Sequence, residues 1–286
     1  MLEVVQSIEA MRAVSRKWRR QGLTIALVPT MGSLHEGHLA LVDRAQREAE
    51  RVVVSLFVNP LQFGPNEDWA RYPRTFDQDR ARLESGAVSV LFHPCASEMY
   101  PEGRSRTTVV VDQLSRVLCG VARPGHFAGV TTVVSKLFNI VEPDVAVFGE
   151  KDWQQLTIVK HMARDLNSPV RVVGVPTVRE ASGLALSSRN HYLSLADHHA
   201  ASALYRGLQQ ANDRWQAGER DRDAIRQVVI DRIAAAGISC EYVAVVDPDT
   251  LSESPRVLSG PTLVALAAHL GKTRLIDNIL LGRKQD

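Results

Sequence analysis

The sequence predicts an α/β protein built on a doubly wound parallel sheet, followed by a smaller C-terminal α+β domain. Three observations carry this. The runs 24–28, 51–58 and 145–148 are apolar almost throughout, the mark of strands buried on both faces. Stretches of helical period separate them, so strand and helix alternate as right-handed crossovers require. Near Pro176 the pattern changes to two long helical segments and then several strands, which divides the 286 residues into domains 1–176 and 177–286.

Taken in order, residues 7–19 place Ile8, Met11, Val14 and Trp18 on one helical face. The strand at 24–28 runs into Met31-Gly32-Ser33-Leu34-His35-Glu36-Gly37-His38 and then an amphipathic segment, 39–49. The run 51–58 stops at Asn59-Pro60-Leu61-Gln62-Phe63-Gly64-Pro65, whose prolines and glycine demand a loop. A helix at 76–85, strands at 88–92 and 107–111, and a helix at 130–141 follow. The strand 145–148 closes at Gly149, and a helix at 154–165 and a strand at 170–175 complete the first domain. The second holds helices 195–216 and 221–236, separated by Ala217-Gly218-Glu219, and then strands 242–246, 262–268 and 273–276. In a doubly wound sheet ligands sit beyond the carboxyl ends of the strands, so the loops after Val28, Val58 and Phe148 should converge on one crevice.

Composition excludes several classes. Apolar residues make up 45% and charged residues 23%, ordinary values for a globular protein. The net charge of +2 gives no global field for nucleic acid, and Arg16-Lys17-Trp18-Arg19-Arg20 reads as the solvated end of a helix. Cys95, Cys119 and Cys240 are odd in number and far apart, which fits neither a disulfide framework nor a Cys-x-x-Cys metal site. The first ten residues carry acidic side chains and no long apolar core, and no apolar stretch approaches a membrane span. A cytoplasmic location without membrane or nucleic-acid partners is expected.

The turn after the first strand carries the chemistry. A strand, a glycine loop and a helix start together present backbone N–H groups and a positive dipole end to an anion. His35 and His38, three residues apart, fall on one side of the first turn. Two imidazoles there point to chemistry at the α- and β-phosphates of a nucleotide. Taken alone, the spacing also reads as a capping residue plus a surface residue. A metalloprotease reading fails, because Glu36 sits beside a glycine turn rather than inside a continuous His-Glu-x-x-His helix.

Two later clusters bear on the same chemistry. Phe148-Gly149-Glu150-Lys151-Asp152-Trp153-Gln154-Gln155 ends a buried strand: Gly149 permits close backbone approach, Lys151 can meet a phosphate, and Asp152 can accept from ribose hydroxyls. Gln155 lies four residues past Lys151, so a helical turn would point both the same way. The competing reading is a solvated charged turn. In Leu186-Ser187-Ser188-Arg189-Asn190, two hydroxyls and a planar fork suit pyrophosphate oxygens. A plain helix cap competes, weakened because the next helix begins only at Leu195.

Together with Pro29-Thr30-Met31-Gly32, Tyr72-Pro73-Arg74-Thr75, Arg123-Pro124-Gly125-His126-Phe127 and Arg274-Leu275-Ile276-Asp277-Asn278, these clusters resemble the pantothenate synthetases, ligases of the Rossmann-like nucleotidyltransferase superfamily. The resemblance covers residues 24–193 in the same order. At one point the chain departs: family members carry an acidic residue where this chain has Cys119, before Gly120. The resemblance implies ATP-dependent condensation of (R)-pantoate with β-alanine through a pantoyl-adenylate, with release of pyrophosphate and then AMP.

It further implies His38, His35, Lys151 and Arg189 as catalytic, with Ser187 and Ser188 as further phosphate donors. Met31, Gly32, Gly149, Asp152, Val178 and Leu186 would complete the ATP site. Asn59, Gln62, Phe63, Tyr72, Arg123 and Gln155, with Met31, would hold pantoate or β-alanine. Mg²⁺ is expected on the phosphates, with Asp79 or Asp77 as its protein contact, and a homodimer is expected, with 107–111 as a strand able to join a partner. Two rival readings are a nucleotidyltransferase that makes a stable nucleotidyl product and a nucleotide-binding module without turnover.

Overall fold

The computed structural model describes residues 2–65, 67–84, 86 and 88–283. They form two compact units, the first comprising Met1–Arg116, Gly120–Glu150 and Gln155–Pro176, the second Val117–Cys119, Lys151–Gln154 and Thr177–Asp286. Residues 117–119 and 151–154, inside the span expected for the first domain, thus go with the second unit.

In chain order the elements up to Val175 are β1 (Glu3–Val5), α1 (Ile8–Arg20), β2 (Ile25–Thr30), α2 (Glu36–Glu48), β3 (Arg51–Leu56), α3 (Phe76–Glu84), β4 (Val90–Phe92), α4 (Ala96–Met99), α5 (Cys119–Ala122), α6 (His126–Val141), β5 (Val145–Gly149), α7 (Trp153–Asp165) and β6 (Arg171–Val175). Six strands form one sheet, β1-β4-β3-β2-β5-β6, parallel throughout. Each central strand feeds two cores by simple alternation. Ile25, Leu27, Val53 and Phe148 pack with Met11, α6 and α7, whereas Ala26, Val28, Val54 and Val147 pack with Leu41, Val42 and Ala45 of α2. That double burial is why the runs contain almost no polar residue. From β2 the chain proceeds to β3 and β4 on one side, and β5 and β6 lie on the other, so the order reverses between β2 and β5.

Three local readings change, and a fourth falls outside the described residues. No strand forms at 107–111; the N–H of Val109 donates to Thr132 Oγ1 (3.1 Å) and its carbonyl accepts from Thr131 Oγ1 (2.6 Å), so hydroxyls of α6 replace a ladder. α6 begins at His126 rather than 130, because Gly125 at φ +84° makes the turn that starts it. β1 was unexpected: three residues give no period to read. Ser85, placed in a helix by its pattern, lies outside the described residues.

The second unit holds α8 (Leu195–Gln216), α9 (Arg222–Ala235) and the antiparallel sheet β7 (Ser239–Val246), β8 (Thr262–Leu270), β9 (Thr273–Leu281) in that order. Leu204, Leu208, Ile225 and Val229 of the helices pack on Val264, Leu266 and Leu275. Ser194 caps α8 by accepting from the N–H of Asp197 (3.1 Å), which leaves Ser187 and Ser188 out of that role. Among the described residues no helix is long and apolar enough to cross a membrane.

Candidate active site

The histidine turn is built by reversing the chain directly after β2. Gly32 (φ +84°) and Ser33 (φ +53°) both take the left-handed conformation. A Cβ on Gly32 would stand 3.1 Å from Asp79 Oδ2 and 3.3 Å from Leu56, so both the dihedral and the space call for glycine. Asp79 of α3, only 1% exposed, clamps the reversal. Its carboxylate accepts from the N–H groups of Ser33 (2.9 Å) and Leu34 (2.7 Å) and from Thr75 Oγ1 (3.1 Å). Both oxygens thus take part in holding the turn.

His35 is the N-cap of α2. Its Nδ1 accepts from the N–H of Gly37 (3.2 Å), and Nδ1 of His38 accepts from the N–H of His35 (3.2 Å). A ring nitrogen that accepts carries no hydrogen, so in each imidazole the hydrogen sits on Nε2. The rings lie 4.1 Å apart. The N–H groups of Gly32, Ser33, Leu34, His35 and Gly37 all bond side chains of the turn and its clamp.

After β3, Asn59 is 1% exposed and caps the 3₁₀ turn Pro60–Gln62. Its amide donates to Gln62 Oε1 (3.2 Å) and to the carbonyl of Gly129 (3.0 Å), and its Oδ1 accepts from the Tyr100 hydroxyl (2.9 Å). Gln62 Oε1 is thus occupied, and its Nε2 lies 2.8 Å from Met31 Sδ. Burial pushes the Tyr100 phenol well above its ordinary value, so it stays a donor. A Cβ on Gly129 would come within 2.2 Å of the Leu61 carbonyl, which explains the glycine where α6 meets this turn.

Arg123 is held by an ion pair with Glu67 and donates to the carbonyl of Gln62 (3.4 Å). Its Nη1 lies 2.9 Å from His126 Nε2, and His126 Nδ1 lies 2.7 Å from the Gln62 carbonyl. Arginine only donates, so His126 accepts at Nε2 and donates from Nδ1. Burial works to raise the Glu67 carboxyl, but the hydrogen bond and charge of Arg123 outweigh it and hold the group below its ordinary value. Phe63 and buried Tyr72 meet edge to face, with centroids 5.7 Å apart. Tyr100 and Glu67 had no signal in the sequence; His126 stood inside a quoted motif without a role.

In the second unit Lys151 and Asp152 share the 3₁₀ turn Glu150–Asp152, with Lys151 Nζ 3.8 Å from Asp152 Oδ1. The Leu186 N–H donates to the Val178 carbonyl (3.0 Å), pairing the two positions expected at the nucleotide. Ser187 Oγ accepts from the Arg189 N–H (3.2 Å), which tightens the Ser187-Ser188-Arg189 turn. Cys119 Sγ lies 3.2 Å from the Tyr242 hydroxyl and 3.5 Å from Arg274 Nη2, and Glu241 pairs with Arg274 (2.8 and 3.0 Å). Among the described residues no group of three His, Cys, Asp or Glu side chains gathers to hold a metal ion.

The histidines, Met31, Gly32, Asn59, Gln62, Phe63, Tyr72, Asp79, Arg123, Gly149 and Gln155 therefore belong to the first unit, and Lys151, Asp152, Val178, Leu186, Ser187, Ser188 and Arg189 to the second. The family model for pantoate–β-alanine ligase matches residues 3–280. The pantothenate synthetase of Heliobacterium modesticaldum is 53% identical over 281 residues, covering 98% of this chain and 99% of its own. The crystal structure of pantothenate synthetase from Thermus thermophilus superposes with a TM-score of 0.91 at 45% identity, over 97% of this chain and 98% of that one. The pantoate–β-alanine ligase from Francisella tularensis, solved in complex with β-γ ATP and β-alanine, gives a TM-score of 0.81 at 33% identity over 98% of each chain. A full-length match of sequence and fold, on a chain that carries these histidine, glutamine, lysine and Ser-Ser-Arg turns, has one meaning: this chain belongs to the pantoate–β-alanine ligase family.

Proposed function

We propose that the chain performs the family's ATP-dependent joining of pantoate to β-alanine through a pantoyl-adenylate, with the residue roles that follow. The observation that carries the proposal is the pair of imidazoles whose Nδ1 atoms are taken up by the backbone, so that both present Nε2–H as the donor. A carboxylate with a reference pKa of about 4 is already ionised at neutral pH, so attack on the α-phosphorus needs no general base. What limits it is charge growing on the α-phosphate oxygens and on the departing pyrophosphate. His35 and His38 donate to the former; Lys151, Ser187, Ser188 and Arg189 neutralise the latter. Gly32, Gly149, Asp152, Val178 and Leu186 hold ribose and adenine.

Gln62, through Nε2, and Gln155 orient pantoate, while Met31 and Phe63, backed by Tyr72, meet its dimethyl carbon. Asn59 and Arg123 act behind Gln62, since their polar atoms hold it in place. In the second step the neutral amine of β-alanine attacks the acyl carbon; the C–N bond forms, the acyl–phosphate C–O bond breaks, and AMP leaves. Mg²⁺ enters as part of the MgATP substrate, because the described residues build no cage for it. Family membership removes both rival readings.

The proposal includes a homodimer and a cytoplasmic location. The segment 107–111 turns Val110 outward at 54% exposure while Val109 is tied to α6, which leaves an apolar side chain for a second copy to cover. Val110→Glu should then give monomers in analytical ultracentrifugation. The three free thiols suit a reducing compartment. The test of the chemistry is single-turnover release of pyrophosphate from ATP and pantoate alone, followed by AMP only when β-alanine is added. Pyrophosphate that appears only with β-alanine present would exclude the adenylate route.

A further inference from the structure

We propose that Asp277 and Asn278, neighbours on β9, are positioning residues that fix Lys151 and the 187–189 turn for ATP; the inference rests on the ATP roles given above to those residues. Adjacent residues of a strand face opposite sides of the sheet. Asp277 pairs in register with Leu266 and shares the row of Leu275, in the layer that packs against the helices, where it is 3% exposed. Asn278 pairs with Ala265 and faces the other side. Burying a carboxylate and an amide on one strand is unfavourable unless both are fully engaged, and neither is required to fill an apolar layer.

Their partners explain them. Asp277 accepts from Arg179 at 2.6 and 2.9 Å and from the N–H of Asn278 at 2.8 Å. Arg179 in turn donates to the Gly183 carbonyl (3.2 Å) and stacks 3.7 Å over the Tyr205 ring. Gly183, at φ +90°, fits against Tyr205 only because it lacks a Cβ, which would stand 2.6 Å from the ring. This anchored turn is the closed end of a hairpin whose other end leads into Ser187: Arg179 bridges Ala185, Glu180 bonds Leu184, and Leu186 bonds Val178. On the opposite face Asn278 Nδ2 donates to the Lys151 carbonyl at 2.9 Å. One dipeptide therefore sets the backbone of both ATP-contacting turns in this unit, without touching ATP in the roles assigned above. Misplacement of a phosphate cation by a fraction of an ångström weakens binding of the anion while leaving other substrates alone.

The test is a double-mutant cycle read in steady-state kinetics. Asn278→Asp keeps the shape, removes the donor and sets a carboxylate against the Lys151 carbonyl. It should raise the KM for ATP by about tenfold, the loss of one well-placed hydrogen bond, with the KM for pantoate and the melting temperature near wild type. In a Lys151→Ala background the same change should add nothing to the KM for ATP. If Asn278→Asp destabilises the strand, Asn278→Ser removes the reach without adding charge and must show the same split. An unchanged KM for ATP in the folded variant, a fall in kcat alone that tracks the folded fraction, or a full additional effect on Lys151→Ala would each overturn the inference. Lys151→Ala with normal ATP kinetics would instead refute the role given to Lys151 itself.

Discussion

The main-chain N–H of His35 donates to Nδ1 of His38 at 3.2 Å, so the helix cap and the tautomer of the second histidine are one arrangement. The two jobs can be separated. An asparagine side chain places an acceptor near the position of Nδ1 and nothing at Nε2. His38→Asn should therefore keep the cap and the melting temperature, yet slow pantoyl-adenylate formation by about 10²-fold, the usual cost of a lost transition-state donor. Rapid-quench measurement of pyrophosphate is the readout. His38→Ala should lose both the cap and the rate, and Lys151→Ala the rate alone.

Asp79 gives a second separation, between clamp and metal ligand. Asp79→Ala leaves the N–H groups of Ser33 and Leu34 without their acceptor in a buried turn, at about 1–3 kcal/mol for each group left unsatisfied. The melting temperature and adenylation should fall together. Extra Mg²⁺ should not restore activity, and the Mg²⁺ concentration for half-maximal rate should match wild type. Rescue by Mg²⁺ would return Asp79 to the role of a metal contact.

The relay from Tyr100 through Asn59 to Gln62 should show in substrate selectivity. Gln62→Ala should raise the KM for pantoate far more than that for ATP. Tyr100→Phe removes one buried donor at the remote end, and should raise the pantoate KM by a few-fold, in line with a net hydrogen-bond contribution of about 0.5–1.5 kcal/mol. Equal changes in both substrates would show that Tyr100 serves only the core.

Those variants also mark how far the sequence could be read. The parallel sheet was legible because double burial writes itself as unbroken apolar runs, such as 52–54 and 145–148. The histidine turn was legible because a strand, a glycine and a helix start are local. Its clamp was not: Asp79 lies more than forty residues away, and nothing local distinguishes a carboxylate that accepts N–H groups from one that meets a cation. Segment 107–111 misled because Thr and Val favour extended backbone whether the partner is a strand or, as here, two threonine hydroxyls on a helix. The roles of Asn278 and Tyr100 depend on single contacts across long separations, which no period records.

Glu241 offers a test by pH. The hydrogen bond from Arg274, with His269 as a second partner at 3.0 Å, holds its carboxyl below the ordinary 4.5. Arg274 also faces the Cys119 thiol, beside the Tyr242 hydroxyl. A depressed folded value means that the unfolded chain binds more protons in this range, so stability rises with pH there. The contribution is complete above the unfolded value of about 4.5 and fades as pH falls through the lower folded value. Glu241→Gln should therefore melt below wild type at neutral pH, and the gap should close as the medium is acidified past that point. Because the pair is partly exposed, added salt should narrow the gap as well. A difference in melting temperature that stays constant across the acid range would mean that the glutamate contributes shape and not charge.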